Sequence, residues 1–185
     1  MITFNKFQFK ENTKLIDITI PSSSIVYLES CNSNIFVEKP FSGEILFKSF
    51  PIQHGMKSFL NNIFFYFSTE ILFEKLSIER NMKKYSSMFD CGMIWNVPIT
   101  YFKIDEKLLK EKIKNIDTQT KFSTCYGLIL FFRGSVCMVN VANEIDEKNS
   151  EILKNLILSR ANYGMDIVFY CGKKLNIEKE IVINL

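Results

Sequence analysis

The chain has 185 residues, 47% of them hydrophobic, and a formal net charge of +3. That length and apolar content fit one domain with a sizeable core, and the near balance of charge excludes a strongly basic nucleic-acid footprint. Phe, Ile, Lys and Asn are abundant and alanine occurs only at Ala142 and Ala161, a usage that points to an A/T-rich coding genome.

Residues 2–9 (ITFNKFQF) and 14–20 (KLIDITI) alternate apolar and polar side chains, as antiparallel strands with one buried face do. Pro21 and the serines after it make a turn, and residues 25–28 (IVYL) read as a buried strand. A polar loop, ESCNSN, follows, and then the turn KPFSG before a strand at residues 44–47. The aromatic run Phe64, Phe65, Tyr66 and Phe67 is either a core strand or a partner-binding patch. So continuous a run cannot all face inward unless both sides of the strand are covered.

Ile78, Met82, Tyr85 and Phe89 recur at helical spacing, with Ser77 as N-cap. Leu109, Ile113 and Ile116 share one face of a helix expected over residues 105–117, with charges on the other face. The segment from Val136 to Gly172 is the most informative. An apolar strand at 136–141 leads into a polar turn, and Asp146 caps an amphipathic helix with Ile152, Leu153, Leu156 and Ile157 inward. Arg160 suits the last turn of that helix and Gly164 its exit, before a second apolar strand at 167–171. Strand, turn, helix and parallel strand in that order is the building unit of an α/β fold. Residues 177–183 add a last edge strand.

The five cysteines are odd in number and widely spaced, and several sit in apolar runs, so they read as reduced buried thiols. With no C-x-x-C pair, and His54 as the sole histidine in a loop, no metal site is expected. The opening MITFNKFQFKENTK reads as neither signal nor transit peptide. The apolar stretch 127–141 is short and broken by Arg133, so a soluble or peripheral protein is expected.

Taken together, these segments resemble the ABC-transporter ATPases, and most closely the ATP-binding subunit of the haem exporter in the cytochrome c maturation system. KLIDITIPSSSIVYLES resembles the family's paired strands leading into the phosphate loop, and KPFSGEILFKSFPI its P-x-x-G-x-I hairpin. LSIERNMKKYSSMF resembles a helix start in the helical subdomain, and NEIDEKNSEILKNLILSRANYG the D-loop and following helix. The resemblance implies an α/β, ABC-type P-loop NTPase-like fold in a single domain, residues 1–185. It would have a mainly parallel central sheet, N-terminal antiparallel strands and a small reduced helical subdomain at about 70–125.

The same resemblance shows what is eroded. The phosphate loop G-x-x-x-x-G-K-S/T is replaced by Glu29, Ser30, Cys31, Asn32, Ser33 and Asn34, and the few residues left before Pro40 imply a shortened first helix. The metal and base carboxylates at the end of the first core strand have become Val139 and Asn140, and the switch His falls at Gly172. The Q-loop positions hold Tyr66, Phe67, Ser68 and Thr69, and the apparent signature remnant is Phe122 to Gly127. Only the D-loop, Ile145 to Asn149, looks intact, and Asp146 is also a plain helix cap. Phe7 and Phe9 lie where the family's adenine-stacking aromatic would be, and Lys173 and Lys174 could meet a phosphate or an acidic partner.

Phosphoryl transfer is almost wholly positioning and charge neutralisation. The expectation is therefore a catalytically inactive pseudo-ATPase with no cofactor and no metal. It would act by binding protein in a membrane-associated complex, peripheral to the membrane, with no nucleic acid and no symmetric nucleotide-sandwich homodimer. Composition and resemblance place it on the matrix side of the mitochondrial inner membrane if organelle-encoded, or otherwise in the bacterial cytoplasm at the membrane. The alternatives are a structural subunit of a mitochondrial respiratory or ribosomal assembly and a residually active haem-exporter ATPase.

Overall fold

Alternation in the first strand breaks phase: Ile2 and Phe4 are even, Phe7 and Phe9 odd, yet all four are buried. In the computed structural model, which describes residues 1–11, 13–29, 41–51, 64–91, 94–163, 165 and 167–184, a bulge resets the phase. Strand β1 (Ile2–Gln8) shifts register against both neighbours, β2 (Ile16–Ile20) and β4 (Ser42–Phe47). At the bulge Lys6 takes a left-handed φ of 46°, and Gly43 opposite has a φ of 72°. A Cβ on Gly43 would lie 2.1 Å from the Lys6 carbonyl oxygen, so only glycine fits there.

These strands and the short β5 (Phe50–Pro51) form an antiparallel sheet in the order β2-β1-β4-β5. The second sheet holds β3 (Ser24–Glu29), β6 (Phe64–Phe67), β7 (Val136–Val141), β8 (Ile167–Gly172) and β9 (Ile181–Asn184), in the order β6-β7-β8-β3-β9. All its pairings are parallel. Parallel strands need cover on both faces, and the near-continuous apolar runs of β7 and β8 follow from that. Val26, Leu28, Met138 and Phe169 pack against Ile2, Phe4, Ile20 and Ile45 of the antiparallel sheet. Val139, Val168 and Tyr170 face the helices, among Phe131, Leu153 and Ile157.

The helices are α1 (Ile78–Met88), α2 (Val97–Phe102), α3 (Thr118–Gly127) and α4 (Glu147–Tyr163). Ser77 caps α1, its oxygen accepting from Arg80 N at 3.3 Å. Asp146 caps α4 as the sequence predicts, Oδ1 accepting from Asn149 N at 2.7 Å. The inner face of α4 buries Leu153, Leu156 and Ile157. Cys125, Cys137 and Cys171 are buried and Cys91 is half-buried; Cys31, His54 and Gly164 lie outside the described residues.

The helix expected over 105–117 does not form. Two 3-10 turns stand there, Glu106–Leu108 and Ile113–Asn115. Long-range pairing wins over local helix bonds: Ile113 N donates to Leu76 O at 3.0 Å and Lys114 N to Glu74 O at 3.2 Å. In the other direction, Ile78 N donates to Glu111 O at 3.2 Å and Glu79 N to Leu109 O at 3.0 Å. The two segments thus lace together; Ile113 reaches the core from the start of a 3-10 turn and Ile116 from the extended residue after it, rather than from one helical face.

Candidate functional site

In an open parallel sheet, ligand chemistry gathers where the carboxyl ends of the strands meet their loops. Parallel register brings four of the sequence-predicted positions to that edge. Tyr27 pairs with Tyr170, Val139 with Tyr170, Asn140 with Cys171 and Val141 with Gly172, so Glu29, Val139, Asn140 and Gly172 share one rim. Ser30, Cys31, Asn32, Ser33 and Asn34, with the segment where a shortened first helix is expected, lie outside the described residues.

Val139 is fully buried on the helical face, and Asn140 is half-buried with its Oδ1 3.9 Å from Cys171 Sγ. Gly172 has a φ of +82°, and a Cβ there would lie 2.2 Å from Val141 O and 3.1 Å from Asn140 Oδ1. Tyr27 OH donates to Gly172 O at 3.1 Å, fixing the strand end. Glu29 is exposed, its carboxylate accepting from Asn184 Nδ2 at 3.4 Å.

Both lysines beyond β8 are committed to the fold. Lys173 Nζ donates to Ile145 O at 2.9 Å. Lys174 lies 5.3 Å from the Tyr27 ring centroid and 3.7 Å from Glu180. Glu180 is nearly enclosed; it also accepts from the Tyr170 hydroxyl, and from Ile177 N at 3.4 Å. Burial first, then that carboxylate, pushes the Tyr170 phenol up.

A second cluster ties α3 to the turn before α4. Gln119 Nε2 donates to Glu144 O at 2.7 Å while its Oε1 accepts from Asp146 N at 3.0 Å. Ser123 Oγ donates to Asn149 Oδ1 at 2.9 Å, and Tyr126 OH donates to Asn140 O at 3.0 Å while accepting from Ala142 N at 3.1 Å. The sequence does not single out Gln119, and it offers Tyr126 only within the signature remnant; the signal for Gln119 was the N-cap Asp117, which starts α3 two residues before it.

Three readings need correction. The signature remnant at Phe122 to Gly127 is the interior of α3, all six residues buried, because α3 begins at Thr118 and packs on α2 and the turn before β7. Phe7 and Phe9 are buried between the sheets and offer no open stacking face. The aromatic run is not a free patch. Phe67 is fully buried, and Phe65 packs at 4.8 Å from Phe67 and 4.9 Å from Phe89, ring centroid to centroid. Tyr66, half-buried, turns to the inter-sheet side. Strand alternation covers both faces of β6, so Phe65, Tyr66 and Phe67 work as core; Phe64 begins the strand in register with Val136.

Among the described residues no group of three or more His, Cys, Asp or Glu is placed to hold a metal ion, and no helix is long and apolar enough to cross a membrane.

No protein-family model and no curated protein matches the sequence. Solved structures do. A putative ABC transporter ATP-binding protein from Pyrococcus furiosus superposes with a TM-score of 0.77 at 18% identity, covering 100% of this chain and 96% of that one. A dimeric ATP-binding cassette in a post-hydrolysis state with ADP and Pi gives 0.79 at 12%, covering 100% and 94%. The cbiO1 protein from Clostridium perfringens, part of the ABC transporter complex cbiONQ, gives 0.69 at 15%, covering 96% and 80%. The α/β fold with a parallel central sheet and antiparallel strands is therefore the fold of the ABC ATP-binding cassette.

Proposed function

We propose that this chain is a non-hydrolysing protein of ABC-cassette fold that acts by binding protein, as a peripheral subunit of a membrane-associated complex. The observation that carries this reading is the rim formed by Val139, Asn140 and Gly172. A hard divalent cation needs carboxylate oxygens, and proton transfer from an attacking water needs a base. Val139 offers no ligand atom, and the amide of Asn140 is a weak ligand and no base. A histidine could not occupy the place of Gly172 without moving the backbone, given the 2.2 Å approach to Val141 O. The carboxylate that shares this rim, Glu29, is exposed and bonds Asn184, and the residues at the ends of β7 and β8 do not fit a catalytic Mg-nucleotide.

Protein binding is supported by the fold, since one structural neighbour is described as part of a transporter complex. It is also supported by exposed apolar side chains: Phe73, Met88, Ile94 and Tyr101 all come from the helical segment between β6 and β7. The resemblance of the D-loop region adds the finer reading, a relative of the haem-exporter ATP-binding subunit serving cytochrome c maturation. The A/T-rich composition, taken with that resemblance, adds as location the matrix side of the mitochondrial inner membrane if the chain is organelle-encoded, and otherwise the bacterial cytoplasm at the membrane. Release of inorganic phosphate from Mg-ATP by the purified chain tests the reading. No release above a no-protein control is expected, and turnover abolished by Asn140→Ala would overturn it.

A further inference from the structure

We infer that a pocket on the helical segment is a docking site for an acidic segment of a protein partner, an inference that deepens the protein-binding reading above. The pocket, about 410 Å³, is lined by Lys75, Ser77, Glu79, Arg80, Lys110 and Lys112. All four cationic residues are exposed. Its only lining carboxylate, Glu79, is engaged by Lys83 at 2.5 Å on the same helix; Lys110 and Arg80 act on it from farther off, and among the described residues none of the four cations makes a contact ion pair. The charge is concentrated here: nine Lys and Arg against six Asp and Glu lie between Glu74 and Lys114, equal to the whole formal +3 of the chain, which is otherwise neutral.

The pocket is also held in shape. Its two walls are the laced segments described above, joined by the Ser77–Lys112 bridge and the hydrogen bonds from Ile78 and Glu79 to Glu111 and Leu109. Those bonds decide the kind of anion. A compact phosphate favours free backbone N–H groups at a helix start. Here the N–H groups of Ile78, Glu79 and Arg80 are already bonded, to Glu111 O, Leu109 O and Ser77 Oγ. What remains is a spread of side-chain cations from two walls, with the Arg80 guanidinium able to take a carboxylate on two N–H groups. That arrangement matches several carboxylates spaced along a chain better than one phosphate. Such rim charges set association rate and salt dependence as much as affinity.

The test uses the full chain and a fluorescent peptide with four glutamates separated by Gly-Ser spacers, read by anisotropy at low and high salt, with ATP hydrolysis measured on the same preparation. The inference expects salt-sensitive binding that Lys110→Glu/Lys112→Glu weakens by at least about tenfold. It expects Lys148→Glu/Lys154→Glu on α4 to leave binding unchanged. Absence of binding, equal loss with both pairs, or displacement by inorganic pyrophosphate at lower concentration than by unlabelled peptide would overturn it. So would capture of the chain by phosphatidylglycerol vesicles without peptide binding. ATP hydrolysis would instead overturn the non-hydrolysing reading, so the two failures are separable.

Discussion

Asn140 sits diagonally across the β7–β8 pairing from Gly172, one position from its partner Val141, so close that a single added carbon on Gly172 would lie 3.1 Å from Asn140 Oδ1. The same carbon would overlap Val141 O at 2.2 Å, and the glycine holds a φ of +82° that side chains rarely adopt. Gly172→Ala is expected to destabilise the fold by about 1–3 kcal/mol through strain and overlap. Urea unfolding measures it, and a change within about 0.5 kcal/mol would show that the strand end yields freely.

Val139 lies in the helix-facing core with no exposed surface. Val139→Asp would bury a carboxyl among apolar side chains without a partner and is expected to cost about 3 kcal/mol or more. The cost would be largest at neutral pH, where the group must stay protonated or bring water inward. A variant as stable as the parent by thermal unfolding would contradict the burial on which this rests.

Asp117 starts α3: its carboxylate accepts from Thr120 Oγ1 at 2.5 Å and Thr120 N at 2.9 Å, and these bonds hold it below the usual carboxylate range. Asp117→Ala is expected to cost about 1 kcal/mol at pH 7. Because the folded-state value is depressed, that contribution is complete above the ordinary carboxylate pKa and is lost as pH falls through the folded value. The stability gap between parent and variant, measured by urea unfolding, should therefore narrow in acid, and a gap that widens would be wrong in sign.

Burial pushes the Tyr85 phenol and the Cys137 thiol up to about 12, and raises Cys125 and Tyr126 as well. For a raised folded-state value, stability is complete below the unfolded pKa and is lost as pH rises toward the folded one. The urea midpoint should stay level to about pH 8 and fall beyond it as thiols and phenols of the unfolded chain ionise. A midpoint that rises between about pH 8 and pH 10 would contradict this.

Much of the architecture was legible because it depends on local signals: apolar runs for β7 and β8, Ser77 and Asp146 as caps, and the inward face of α4. The failures share a cause in non-local structure. Leu109, Ile113 and Ile116 have helical spacing, but the backbone of Leu109, Glu111, Ile113 and Lys114 is claimed by residues 74–79, which no local pattern reveals. Ser123 and Gly127 drew attention as signature remnants, whereas the cap at Asp117 had already begun the helix that buries them. The aromatics of β6 read as a surface patch only if one face of the strand is left bare, whereas Phe65 and Phe67 pack on the helical side and Tyr66 on the inter-sheet side. At the rim, residue identity named the positions Val139, Asn140 and Gly172, but only the parallel register put them side by side.

The central claim is that this cassette fold lacks a working Mg-nucleotide site at its strand ends, and calorimetric titration of the purified chain with Mg-ATP tests it most directly. The account predicts no saturable heat beyond dilution through the micromolar range. A one-to-one isotherm with a micromolar dissociation constant, lost in Asn140→Ala, would contradict it.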